Sequence, residues 1–466
     1  MIPDPAVLRE RLTGEGLSPG AADEAVRRLL RAAVLCGSGT DDGTVDEGPP
    51  RAGFFVPGRI ELLGKHTDYA GGRSLVTALE AGISAVVVDH AEPVVEFVDT
   101  DTGARASFPH DREPDPDGGF LYPAIYLSRI RADLATLGVE LEGGALVAWS
   151  SSLPQAAGMS SSSALLVTLH LALATRYRWA ESPRYREHLL DREALAGYLA
   201  AVEAGRPFGA LAGGEACRGV GSDGGSQDHT AILCARPGAV ARYAFRPARY
   251  EGVVPMPEGW TFALASSGVS APKAGSARDR YNRLAAQPEA IMDLWRSAAV
   301  SVHGPDAGFD HLGSVLEAGP GALIRLGQVL RESRHLRFPP EVLLNRAAQF
   351  ADETGLHVPM AARALEAGEL EAFGRSVRAS HRAAVEALAN DTPETEALTF
   401  EALAMGAVAA SPFGAGFGGS VWALVREESS AEFLDRWRQR YLDAFSDRTD
   451  ATFLRSRAGP PALRVF

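Results

Sequence analysis

Residues 56–72 read VPGRIELLGKHTDYAGG. The core of this stretch, GRIELLGKHT, nearly spells a Walker A phosphate loop. That loop has four residues between its glycine and a Gly-Lys pair, with Ser or Thr directly after the lysine. Here five residues separate Gly58 from Gly64, and His66 follows Lys65. The stretch is not a Walker loop. Arg59, Lys65, His66 and Asp68 need another reason to stand so close together.

Working outward, three more segments carry chemistry. LPQAAGMSSSSALL (153–166) is a strand–loop–helix transition with small residues at the turn. Gly158 permits close backbone approach, and Ser160, Ser161, Ser162 and Ser163 offer helix-terminal amides plus hydroxyls, a set that suits a phosphate chain. A single serine would suffice as an ordinary helix cap; four in a row exceed that need. The G-x-S-x-G elbow of serine hydrolases is absent.

SPFGAGFGGSVWALV (411–425) places Gly414, Gly416 and Gly419 in a formal G-x-G-x-x-G match. The dinucleotide fingerprint needs a strand before the glycines and a helix after them. The pattern here reads helix first and strand after, so the Rossmann reading fails. GGSQDHTAIL (224–233) reads as a glycine turn, an acid and then a strand, TAILCA. Asp228 there is either an oriented base or a turn-capping carboxylate.

Together and in order, these segments resemble the GHMP kinase superfamily and, within it, the galactokinase branch. That family carries Pro-Gly-Arg-x-Asn-x-x-Gly-Glu-His-x-Asp-Tyr, where this chain has PGRIELLGKHTDY. It carries Leu-Pro-x-x-x-Gly-Leu-Ser-Ser-Ser-Ala, where this chain has LPQAAGMSSSSA. A Gly-x-x-Asp-Gln segment is met by GSQDH, and Gly-Ala-Gly-Phe-Gly-Gly is present unchanged. The resemblance spans roughly residues 53–425.

It implies an α+β, two-domain fold: an α/β domain like the second domain of ribosomal protein S5, then a ferredoxin-like α+β domain, with the active site at their junction. The expected divisions are 1–50 (a helical appendage and an acidic Gly/Pro loop), 51–240 and 241–466. It also implies phosphoryl transfer from ATP, with Mg²⁺, to a sugar hydroxyl, in galactokinases the anomeric one.

By the same resemblance Asp228 is the base and Arg59 the arginine beside it, which would stabilise a developing alkoxide. Gly158, Ser160 to Ser163, Gly414 and Gly416 belong to the ATP site. Ser161 or Ser162 and Glu203 would touch Mg²⁺, with Glu215 the other candidate because an insertion near 206–220 lengthens the spacing. His66 and Asp68 match residues that bind sugar hydroxyls. Tyr281, in SARDRYNRL, either stacks on the sugar or is a core-edge tyrosine.

The departures lie at the sugar end. Glu61 stands where the family has Asn, Lys65 where it has a sugar-contacting Glu, and His229 where Gln follows the base. Lys65 either pairs with an anionic substituent, which motivates a uronic acid, or pairs with Glu61. Three readings follow: a galactose 1-kinase; a kinase for a uronate, L-arabinose, L-fucose or another sugar; and a non-catalytic sugar and ATP sensor.

The bulk composition agrees. With 466 residues, two domains or one elaborated domain are expected. A net charge of −13 disfavours nucleic acid as the main partner. Three cysteines, Cys36, Cys217 and Cys234, have no zinc-type spacing. No secretory signal is visible at the start and no apolar run approaches the ~18 residues of a membrane span. The expectation is a cytoplasmic protein with no membrane partner, monomeric or a small homo-oligomer. Residues 3–35 read as helices, 37–51 as a loop and 280–410 as mostly helical.

Overall fold

The computed structural model describes residues 2–37, 51–115, 120–154, 157–269, 276–300 and 309–466, without the side chains of 215, 276, 299 and 300. Most of the 37–51 segment expected as a loop lies outside the described residues. Twelve strands are present among them: β1 (Ala52–Leu63), β2 (Arg73–His90), β3 (Val94–Asp99), β4 (Arg105–Pro109), β5 (Gly144–Ser151), β6 (Ala239–Ala244), β7 (Arg249–Pro255), β8 (Trp260–Ser266), β9 (Ala409–Phe413), β10 (Ser420–Arg426), β11 (Thr452–Ser456) and β12 (Leu463–Arg464).

They form two sheets. The first runs β12-β1-β2-β5-β3-β4, with β6 also on β2 and β7 on β6; all pairings are antiparallel except β3 with β5. The second runs β11-β8-β10-β9 and is antiparallel throughout. The expected division at residue 240 falls inside β6. The first sheet extends to Pro255 and takes back β12 from the far end of the chain.

Side-chain alternation along a strand sends neighbours to opposite faces, and here both faces are apolar. Phe54, Ala85, Val87, Val147 and Trp149 enter the main core on one face. Phe55, Val86, Val88, Leu146 and Ala148 enter a second core on the other. The helices Leu121–Leu137, Ser161–Arg176 and Gln227–Cys234 cover the first face. The second needs its own cover. The helical hairpin Pro5–Gly14 and Pro19–Gly37 supplies it with Leu8, Leu12, Leu17, Val26 and Leu29. The appendage is thus part of the first domain's packing.

Two sequence readings are corrected. TAILCA is not a strand but most of the helix Gln227–Cys234. Thr230 to Cys234 are all buried, and a short, wholly buried apolar run has no periodicity to tell helix from strand. The glycine loop after 413 follows strand β9, not a helix; the helix Pro393–Ala404 ends earlier, in a turn with Gly406 at φ 96°. The loop therefore joins two antiparallel strands. No helix among the described residues is long and apolar enough to cross a membrane.

Leu29→Ala should cost about 2–5 kcal/mol, the range for emptying a buried leucine site, since Leu29 is 1% exposed in the hairpin core. Urea unfolding followed by circular dichroism checks it.

Candidate active site

β1 brings the first chemical groups to the junction of the two sheets. Its ladder with β2 slips between Pro57 and Arg59 and again between Glu61 and Leu63, so the strand bends where its polar residues lie. Gly58 is required there: a Cβ would sit 2.7 Å from the Met159 carbonyl oxygen. The contact fixes β1 against the serine loop, and the Arg59 amide donates to Met159 O at 3.3 Å.

Arg59 is 3% exposed. Its Nε donates to Asp228 Oδ1 at 2.8 Å and its Nη1 to the Gly158 carbonyl at 2.7 Å, while the guanidinium lies 5.6 Å from the Phe413 ring. Asp228 sits in the first turn of its helix, and its Oδ2 accepts from the Ser160 hydroxyl at 2.5 Å. The Asp228 side chain keeps 30% exposure, open to a cavity of about 120 Å³.

The serine loop divides its hydroxyls. Gly158 (φ 71°) and Ser160 (φ 60°) are left-handed, and Ser161 starts the helix Ser161–Arg176, whose first amides have no intrahelical acceptor. Ser160 turns to Asp228. Ser162 and Ser163 donate to Glu203 Oε1 at 3.2 Å and Oε2 at 2.9 Å. Glu203 also has His229 Nε2 at 3.4 Å from Oε2. Gly414 and Gly416 reach the same cavity at φ 85° and 77°; a Cβ on Gly414 would be 3.0 Å from Gly158 O. Two glycine loops from different sheets thus meet backbone to backbone.

The described residues hold no group of three or more His, Cys, Asp or Glu that could bind a metal by themselves. One carboxylate beside serine hydroxyls does fit a magnesium that arrives with nucleotide phosphates, which takes one or two protein ligands and fills the rest with phosphate and water. The side chain of Glu215, the other candidate, lies outside the described residues.

The opposite wall of the cavity holds Glu61, His66, Asp68 and Tyr281. Asp68 Oδ2 accepts from the Gln227 amide at 3.0 Å. Burial, with the Asp228 and Glu61 charges, outweighs that bond and pushes its carboxyl up to about 6. His66 is held down to about 3 by burial and the nearby Arg346 and Lys65 charges, so its ring is neutral. Its Nδ1 meets Tyr69 OH at 2.9 Å, its Nε2 lies 3.2 Å from both Ala415 O and Asn390 Nδ2, and its backbone is left-handed at φ 56°. The Tyr281 ring is 5.4 Å from that of His66, and burial raises its hydroxyl well above the ordinary value.

Lys65 does not join them. It is buried and its Nζ donates to the Pro412 carbonyl in β9, beside a small separate cavity that includes His381 and Asp391. It forms no ion pair with Glu61 among the described residues; Glu61 accepts instead from Gln227 Nε2 at 2.7 Å. The expected pairing of Lys65 with Glu61 is therefore not formed, and the ammonium is held at Pro412. Among the described residues the cavity lining holds, besides Arg59, the cation Arg278, which has no ion-pair partner among them.

A set of buried residues that the sequence reading did not find holds this wall. Glu353 Oε1 accepts from the amides of Gly64 (2.6 Å) and Lys65 (3.4 Å) and from the Ser380 hydroxyl (2.9 Å). Arg346 donates to His66 O, and Gln349 Nε2 to Lys65 O at 3.4 Å. Glu353 opens a π-helical turn, Glu353–His357, a feature that often marks functional sites. Nothing local in FADETGLH announces it, because its partners lie nearly 300 residues earlier. Gln227 and Tyr69 were closer to hand, standing inside the quoted motifs.

Comparison with known proteins finds similarity along most of the chain. A model of the galactokinase galactose-binding signature matches residues 44–88, and one of the GHMP kinase C-terminal region matches 361–443. A galactokinase of Halalkalibacterium halodurans is 28% identical over 384 residues, covering 82% of this chain and 85% of that protein. One of Mycobacterium tuberculosis is 26% identical over 410 residues, covering 88% and 98%. The crystal structure of Lactococcus lactis galactokinase complexed with galactose shares the fold at TM-score 0.69 and 22% identity, over 88% of this chain and 94% of that one. Mevalonate kinase of Methanococcus jannaschii follows at TM-score 0.51 and 16% identity, over 87% and 98%.

The raised Asp68 carboxyl makes a stability prediction. Its folded value of about 6 lies above the ordinary 3.8, so the folded state holds the proton more tightly. The associated stability is full below pH ~4 and is lost as pH rises through 6, by about 3 kcal/mol. Asp68→Asn should remove that pH 4–6 slope and unfold later than the parent at pH 7. Denaturant titrations across pH 4–7 read both.

Proposed function

The chain belongs to the GHMP kinase superfamily, in its galactokinase-like branch, and from that premise we propose that it is an ATP-dependent sugar kinase. It transfers the γ-phosphate to a monosaccharide hydroxyl, the anomeric one of galactose or a close relative. The observation that carries this is Asp228, held by Arg59 and Ser160 at the mouth of the cavity between the serine loop and the 61–68 wall. An odd cysteine count of three supports a reducing, cytoplasmic setting.

The residues divide the work. Asp228 accepts the proton of the attacking hydroxyl as its oxygen bonds to the γ-phosphorus and the bond to the β,γ-bridging oxygen breaks. Arg59 keeps the Asp228 carboxylate oriented and sets positive charge beside the oxygen that develops negative charge. The first-turn amides of Ser161 to Ser163 and the meeting glycine loops cradle the triphosphate. Glu203 and Ser162 would hold Mg²⁺, which neutralises phosphate charge when bound. Asp68 and Tyr281 orient the acceptor, and neutral His66 braces the wall against Ala415 and Asn390.

A uronate acceptor is the second reading. It rests on Arg278, which lines the cavity without an ion-pair partner among the described residues, and not on Lys65, whose Nζ is bound to the Pro412 carbonyl.

ADP release across galactose, galacturonate, glucuronate, L-arabinose and L-fucose tests both. Turnover of a uronate but not galactose overturns the first reading, and no ADP with any acceptor leaves a sensor. Asp228→Asn should lower kcat by roughly 10²–10⁴-fold with nucleotide affinity little changed; full activity would refute the base assignment. Glu203→Gln should raise the Mg²⁺ concentration for half-maximal turnover about tenfold or more.

A further inference from the structure

Glu61 lines the cavity with half of its carboxyl's hydrogen-bonding capacity used by the described residues. Its Oε2 takes the Gln227 Nε2 proton at 2.7 Å, and Gln227 is itself oriented, because its Oε1 accepts from the Ser74 hydroxyl at 2.6 Å and its backbone amide is bound to Asp68. The carboxylate is thereby fixed in place at 3% exposure. Its Oε1 has no hydrogen-bond partner among the described residues, although the side chain lines the cavity with Asp68 and Asp228.

A buried carboxylate oxygen left unpaired is costly. The two cations nearest in sequence do not relieve it: Arg59 is committed to Asp228 and Gly158, and Lys65 to Pro412. Burial raises the Glu61 carboxyl above its ordinary value, with the Lys65 and Arg59 charges opposing. In its ionised form it only accepts, whereas the asparagine of the resembling motif both donates and accepts, and a ligand hydroxyl donating to Oε1 is the contact that stabilises this ionised form.

We propose that Glu61 is a specificity-determining residue whose Oε1 accepts a hydrogen bond from an acceptor hydroxyl other than the one phosphorylated. The proposal rests on the sugar-kinase reading. β1 carries Glu61 two residues beyond Arg59, and Gln227 joins it to Asp68, so the contact falls among the residues proposed to hold the acceptor. A site built to bind a hydroxyl rejects the analogue that lacks it far more strongly than an apolar pocket rejects a missing methylene.

The test measures kcat/KM for the sugar that releases ADP and for its single-position deoxy analogues, in the parent enzyme, Glu61→Leu and Glu61→Gln. With the parent, one deoxy analogue should lose on the order of 10⁴-fold. Glu61→Leu should lose as much on the full sugar but nothing further on that analogue, at unchanged KM for ATP. Glu61→Gln, which keeps an oxygen and the shape of the side chain, should fall between them and carries the same comparison if the leucine variant fails to fold. Equal fractional losses on every analogue, or a loss expressed in KM for ATP, would overturn the assignment and leave Glu61 as a support for Gln227. Absence of ADP with any sugar in the parent enzyme would instead remove the kinase reading beneath it.

Discussion

A guanidinium taken out of water must be met by acceptors, because an unpaired buried charge is among the most costly defects a fold can contain. Arg59 is that charge here. Its carboxylate comes from the helix Gln227–Cys234, its carbonyl from the serine loop at Gly158, and the ring beside it from β9 of the second sheet. Satisfying one side chain therefore brings together four segments spread over more than 350 residues. Those segments are the ones that carry the proposed base, the serine loop and the later glycine loop. Gly58 and Gly414 follow from the same requirement, since a side chain on either would drive into the backbone that Arg59 gathers.

The opposite wall is held by a second set of buried polar contacts that cross between the sheets. Glu353 and Arg346, from the helical region before β9, hold the 64–69 turn by its backbone. Asn390 and Ala415 hold it through His66. The turn needs such bracing because His66 carries a positive φ that a non-glycine residue adopts only at a cost. One consequence is chemical. Packing keeps His66 neutral and occupied by protein partners, so under the proposed function the binding of ligand there falls to Asp68, Glu61, Tyr281 and Arg278.

The motifs that were legible are those in which backbone conformation and residue type are inseparable. Gly58, Gly158 and Gly414 are read from sequence because a left-handed or tightly approached backbone admits little else. Arg59 and Asp228 are read because they stand beside those glycines in a recurring order. TAILCA was misread for the converse reason, its burial on all sides erasing the periodicity that separates helix from strand. Lys65 shows the same limit at a single side chain. Its number in the motif suggested a direction, but a lysine has four rotatable bonds, and the carbonyl of Pro412, brought close only by the packing of β9, decides where the ammonium goes.

By itself the sequence determined the α+β class, the order of the phosphate and base motifs, and the departure from the resembling family at Glu61 and Lys65. These are local properties of chain stiffness, apolar pattern and residue chemistry. Tertiary structure alone decided which of the two departing residues faces the cavity, that Arg278 supplies a cation there, and that Glu353 and Arg346 brace the turn. Each of those outcomes depends on groups far apart in the chain competing for the same buried hydrogen bonds, and no local pattern records how that competition ends.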